Sequence, residues 1–373
     1  MKYRLIIASL ALSTLCLIVA CNKDDEQQDP KNNQELIDLR LEQLATVDRY
    51  AITPLFAEVE NSIEMLGNKV DAFSANPTID HLTEVQQSWI AANLLVTRLK
   101  LYDFYDQMTA LKWNNLTVSD KWPISKPTVV EEALAQTSTT LDANFIKESS
   151  SINFAPFPII EYLLFDKDPV ETLTQLQNQP RRMELLRAAK DYLLESRVLL
   201  QANWEAVKTT FLNASATGFT GGQNRMTNVL LEVLRETIIQ RLVALEIYTN
   251  FGTFDPLSLE NHRSGQSLAL IETILAEWTR CFYADYGATE EVVGFDDYLT
   301  GLNQGELLEN IGNAITDCNA KLAPLSNLEQ DIINNTAEVE ALLSSFQNLD
   351  RLLYADLVSV MCIELDMDEC DCD

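Results

Sequence analysis

Glu161 lies in the middle of Ala155-Pro156-Phe157-Pro158-Ile159-Ile160-Glu161-Tyr162-Leu163-Leu164-Phe165-Asp166, a strongly apolar run. A carboxylate in such surroundings must be paired, accept hydrogen bonds, bind a cation or take up a proton. The run reads as a helix opening at Pro158, because a proline in the first turn gives up an N–H that has no helical partner anyway. Glu161 then falls in the first or second turn, where the helix dipole favours its charge. It is either a site residue or a structural Glu that caps the helix or bridges to a buried arginine such as Arg98 or Arg241. A second group of candidates, Glu260, Ser264 and Ser267, is packed into the segment from Asp255 to Leu268. Carboxylate oxygens suit a hard cation such as ferric iron. Serine hydroxyls at a helix start suit an anionic group or plain capping.

Histidine chemistry is scarce. The chain has His81 and His262, and neither stands in a His-Glu-x-x-His arrangement. A zinc hydrolase would have to assemble its site from scattered carboxylates or stray cysteines, which is unusual for a catalytic centre with an open coordination position. No Gly-rich phosphate loop and no Gly-x-Ser-x-Gly elbow occurs. Of the seven cysteines, Cys281 and Cys318 sit on apolar helical faces and read as small core residues, while Cys362, Cys370 and Cys372 lie towards the acidic end. Their spacing matches neither a disulfide framework nor a zinc site.

The N-terminus carries a different chemistry. Lys2 and Arg4 precede the apolar stretch Leu5 to Val19, and Ala20 stands immediately before Cys21. This pattern predicts a signal peptide over residues 1–20, cleavage before Cys21 and acylation of that cysteine, so that the mature chain is anchored to a membrane by lipid. The polar residues that follow predict a flexible acylated tether over 21–40. Within it, Lys23-Asp24-Asp25-Glu26 resembles the surface-export signal of Bacteroidetes lipoproteins, which implies a cell-surface position on the outer membrane.

With 27 Lys+Arg against 56 Asp+Glu, the formal net charge is −29. Such a surface repels nucleic acid, anionic lipid and polyphosphate. It identifies no ligand.

The elements that must hold these residues are helices. The stripe Leu230, Val233, Leu234, Ile238, Leu242, Leu245 and Tyr248 advances in three- and four-residue steps, the mark of a helix with one buried face. Similar stripes run through Leu185 to Leu200, Leu268 to Phe282, Leu308 to Leu322 and Leu342 to Leu353. Only Val358 to Met367 alternates in the rhythm of a strand. The expected fold class is all-α. Helix breaks are expected before Pro77, Pro123, Pro127, Pro169 and Pro180. The small, polar stretch Asn213 to Gly222 marks the domain junction. The expected organisation is an N-terminal helical bundle over 41–212, a linker over 213–225, a C-terminal bundle over 226–360 and an acidic tail over 361–373.

Several blocks carry a family resemblance. Phe157 to Phe165 resembles the signature segment of the imelysin family, Gly-x-His-x-x-Glu followed by Tyr-Leu-Leu. Trp89 and Arg98, with the aromatics from Tyr102 to Tyr105, resemble an early Trp-containing helix of the family, and Lys121-Trp122-Pro123-Ile124 its Trp-Pro element. The segment from Asp255 to Leu268 resembles its Pro-x-x-x-Glu and Ser-x-x-Ser-Leu block. Gly294 to Leu299 and the acidic C-terminus also have counterparts.

The resemblance implies two helical-bundle subdomains with a cleft between them, in extracytoplasmic proteins associated with iron uptake and, by one assignment, with metallopeptidase activity. The candidate ligand-binding set is Glu161, Arg98, Trp122, Glu260, Ser264 and Ser267, of which Glu161, the candidate metal ligand, is the signature residue that carries over. The signature is broken here: Pro156 replaces its Gly and Pro158 its His. Proline offers no side-chain donor or lone pair, so ligation or general-base chemistry at position 158 is impossible. The expected function is therefore a surface-anchored, non-catalytic binding component linked to iron or haem acquisition, with a membrane transporter or receptor as partner. The alternatives are a metallopeptidase-like enzyme and an outer-membrane scaffold without a small ligand.

Overall fold

A computed structural model describes residues 34–104, 127–149, 154–239, 242, 252 and 259–365. Among these the secondary structure is helical throughout, with no strand. Helix α1 (Gln34–Thr46) runs through a π-turn (Val47–Ile52) into α2 (Thr53–Ala75), and α3 (Ile79–Leu99) ends in a 3-10 turn (Lys100–Tyr102). Then come α4 (Pro127–Ala135), α5 (Ala143–Glu148), α6 (Pro156–Phe165), α7 (Pro169–Asn178), α8 (Pro180–Ser196) and α9 (Leu199–Phe211). The remainder comprises α10 (Gly222–Glu232) with a following π-turn (Val233–Ile239), α11 (Ser267–Phe282), α12 (Phe295–Gly301), α13 (Gly305–Leu322), α14 (Leu328–Asn334) and α15 (Thr336–Arg351). The last of these continues through another π-turn (Leu352–Leu357) to Val360.

Local chemistry explains many of the boundaries. Helices α4, α6, α7 and α8 each open on a proline, whose fixed φ suits the first helical position and whose missing N–H is not needed there. Asp168 caps α7, its Oδ1 accepting from the N–H groups of Val170 (3.0 Å) and Glu171 (3.1 Å). The predicted break at Pro77 falls between α2 and α3. Helix α10 starts directly against the end of α9: a Cβ at Gly222 would lie 2.1 Å from the Phe211 carbonyl oxygen, so only glycine fits.

The amphipathic stripes face inward, as their spacing predicts. Leu268, Ile271, Leu275, Trp278 and Phe282 are all buried, as are Leu342, Phe346, Leu349 and Leu353. Cys281 and Cys318 are buried free thiols, pushed by burial up to about 12 and about 11 respectively. The alternating segment from Val358 is helical to Val360, and residues 361–365 form no strand; Ile363 and Leu365 pack on the core without a sheet to join.

Helix α2 packs along α3, α8 covers α2, α5 and α6, and α13 packs on α15. Contacts that link the halves of the chain include α11 on α3, α12 on α1, and α10 on the 3-10 turn that ends α3. The buried apolar side chains form one continuous cluster from Leu36 to Met361. Two buried polar joints reinforce it. Arg40 donates to Gln223 Oε1 (3.0 Å), the Ala214 carbonyl (2.8 Å) and Tyr298 Oη (2.9 Å). Asp48, in the first π-turn, accepts from Trp204 Nε1 (2.8 Å) and pairs with Lys208 (2.8 Å).

Candidate functional site

Helix α6 begins at Pro156, two residues earlier than its sequence suggests, because the Pro-Phe-Pro turn is itself the first helical turn. Glu161 therefore sits in the second turn, where the N–H groups of its own helix are already committed. It is buried, and its partner comes from far along the chain. Glu161 Oε1 accepts the backbone N–H of Ser264 (3.0 Å) and the Ser264 hydroxyl (2.8 Å). Burial raises the affinity of Glu161 for its proton; the two Ser264 hydrogen bonds and the charge of Arg263 oppose that rise, and Glu260 adds to it. Desolvation is the largest of these effects.

The turn that supplies Ser264 spans Leu259 to Gly265 and is tightly built. Asn261 adopts a left-handed conformation (φ 59°), and the Gln266 N–H donates to its carbonyl (2.9 Å). Ser267 opens α11 and donates its hydroxyl back to the Glu260 carbonyl (2.6 Å). Glu260 forms a buried ion pair with Lys100 (3.2 Å), on the 3-10 turn that ends α3. Arg263 pairs with Asp166 (3.0 Å) at the end of α6 and stacks over the Tyr162 ring at 5.2 Å from its centre.

Glu161, Glu260, Ser264 and Ser267 are thus brought together where α3, α6 and the start of α11 meet. Arg98 is not a partner of Glu161. Its Nε donates to Glu277 on α11 (2.8 Å) and its Nη1 to Glu58 on α2 (2.8 Å). Buried Glu277 also accepts from Arg280 (2.8 Å) and from the Tyr102 hydroxyl (2.6 Å), a second polar joint between α3 and α11. Trp122, Arg241 and Cys21 lie outside the described residues. His262 occupies the same turn as Ser264, whereas His81 donates from Nδ1 to the Asn76 carbonyl (2.7 Å) at the end of α2.

Sequence reasoning missed Lys100 and Arg263. The signal for Lys100 was present, since a lysine between Leu99 and Leu101 on an apolar face needs a counter-charge. It also missed Asn93 on α3, a buried side chain whose two amide atoms have no hydrogen-bond partner among the described residues.

In chemical terms the cluster consists of neutralised charge pairs around a carboxyl with a tightened hold on its proton. Among the described residues, no three His, Cys, Asp or Glu side chains converge as metal ligands. Two surface grooves, one lined by Asp142, Asn144, Asp191 and Glu195 and the other by Asn310, Asn313, Asp317 and Arg351, share no residue with the cluster.

The family model for imelysin (peptidase M75) matches residues 52–355, spanning the whole cluster. This chain belongs to the imelysin family. Solved structures that share the fold include the following two. An imelysin-like protein from Psychrobacter arcticum 273-4 superposes with a TM-score of 0.68 at 18% identity, covering 88% of this chain and 97% of that one. A protein from Parabacteroides distasonis ATCC 8503, described as a candidate iron-regulated protein A precursor, gives a TM-score of 0.68 at 16% identity, covering 87% and 95%. No curated protein matches the sequence significantly.

The imelysin signature keeps its Glu here and replaces its Gly and His by Pro156 and Pro158. The structure explains why the helix tolerates both. They occupy the first turn of α6, where a backbone N–H has no helical acceptor to lose. What the chain gives up at position 158 is side-chain chemistry alone.

Proposed function

We propose that this imelysin-family chain is a non-catalytic binding component linked to iron or haem acquisition, held at the outer-membrane surface by an acylated Cys21. The observation that carries the non-catalytic reading is the setting of Glu161. Its Oε1 is taken up by the N–H and hydroxyl of one serine, and the position three residues before it is proline. A general base needs a free lone pair within reach of the proton it abstracts, and a partner to orient it. Oε1 of Glu161 is instead a fixed acceptor inside the protein, and Pro158 cannot orient the carboxylate as a histidine would.

The iron connection is supported by the family and by the description of the Parabacteroides relative. The anchor and its surface position rest on Ala20-Cys21 and on Lys23 to Glu26. The candidate binding surface is the junction of α3, α6 and the 259–266 turn.

Calorimetric titration of the purified protein with ferric iron, haem and zinc tests the reading. Saturable binding of ferric iron or haem, weakened about tenfold or more in a Glu161→Gln variant that melts as a folded protein, is the expected result. Zinc-dependent proteolysis abolished by a chelator would overturn it in favour of the metallopeptidase-like reading. Absence of binding to all three, with a melting temperature that none of them moves, would overturn it in favour of a scaffold.

A further inference from the structure

After Val360 the chain leaves its helix through a left-handed Cys362 (φ 51°) and comes to lie against α10. Contact there is concentrated on one residue's backbone. The Glu364 N–H donates to Asn224 Oδ1 (2.7 Å), and the Glu364 carbonyl accepts from Asn224 Nδ2 (2.9 Å). A second amide, Asn228 Nδ2, donates to the same carbonyl (2.9 Å). One asparagine thus reads both backbone polar groups of one residue, as a neighbouring strand would, in a region where the described residues form no strand. The floor is shaped to match. Gly218 holds a left-handed backbone (φ 61°) that favours glycine, and the Glu364 carboxylate rests against it, with Oε2 2.3 Å from where a Cβ would stand. Ile363 and Leu365, on either side, are partly buried against the core.

We propose that Gly218, Asn224 and Asn228 form a binding groove for an extended peptide with a glutamate seated over Gly218. Its resident ligand is the chain's own C-terminal segment, and that segment is exchangeable with the same segment of a second copy. This inference is independent of the iron or haem reading. Recognition runs through backbone groups of the ligand, so any chain presenting an equivalent segment satisfies it. In the native chain the tethered segment competes at an effective concentration of about millimolar, which keeps the groove filled from within.

The test uses the full chain and a fluorescein-labelled peptide of residues 358–365. Glu364→Pro removes the N–H that Asn224 accepts while leaving the groove residues untouched. The peptide is expected to bind the Glu364→Pro chain at least tenfold more tightly than the wild type, and to lose that binding when Asn224→Ala is added. No binding to the Glu364→Pro chain, equal affinity for the wild type, or undiminished binding to the double variant would each overturn the proposal. Hydrogen exchange in the otherwise native Asn224→Ala chain gives a second reading. Faster exchange of the Glu364 amide is expected, and unchanged protection contradicts the groove.

Discussion

At the scale of single residues, Glu161 shows how burial and hydrogen bonding compete over one proton. Desolvation outweighs the two Ser264 donors and the charge of Arg263, so the native protein holds this proton more tightly than the unfolded chain does. A carboxyl of this kind favours folding in its protonated state. Its contribution is present at low pH and is lost as pH rises through the native pKa. Glutamine keeps an acceptor for Ser264 and never ionises. In melting experiments from about pH 4 to about pH 8, wild type should therefore lose stability relative to Glu161→Gln as pH rises, and the two should converge at the acid end. Parallel curves would show that the environment of Glu161 does not favour the proton. The apolar neighbours that make this carboxylate unusual were legible in sequence. Ser264 as its partner was not, because 103 residues separate them and no periodicity links positions so far apart.

At the scale of elements, helix starts and inward faces were readable because both are local. A proline at the first helical position, an Asp168 cap and a stripe in three- and four-residue steps act within a few residues of chain. The π-turns after α1, α10 and α15 and the early start of α6 escaped notice, since each depends on what the helix packs against. The Lys100–Glu260 pair shows how elements are locked together, for it ties the end of α3 to the turn before α11 across 160 residues. Both side chains are almost fully buried, so removing one partner leaves the other charge buried without its ion-pair partner. Lys100→Met should cost about 3–5 kcal/mol in urea unfolding, and adding Glu260→Leu should restore most of it. If the double variant were as unstable as the single one, the pair would not be what joins these elements.

At the scale of the whole molecule, one apolar cluster runs through both halves of the chain. Contacts of α11 with α3 and of α12 with α1 carry it across the 213–225 stretch. Units that share a core lose their packing together, because opening one exposes apolar surface of the other. Far-ultraviolet circular dichroism and tryptophan fluorescence should therefore report a single coincident thermal transition. Trp89, Trp204 and Trp278, all buried, sample α3, α9 and α11. Two resolved transitions would show that the halves unfold independently despite the shared cluster.

The amino-acid sequence alone determined the helical class, the inward faces, the helix starts at Pro127, Pro169 and Pro180 and the loss of side-chain chemistry at position 158. Each is set by interactions within a turn or two of chain, or by the identity of one residue. Tertiary structure alone decided which buried charges meet: Glu161 with Ser264, Lys100 with Glu260, Arg98 with Glu277, and the backbone of Glu364 with Asn224. A buried polar group announces that it needs a partner, but only packing in three dimensions brings one within hydrogen-bonding distance.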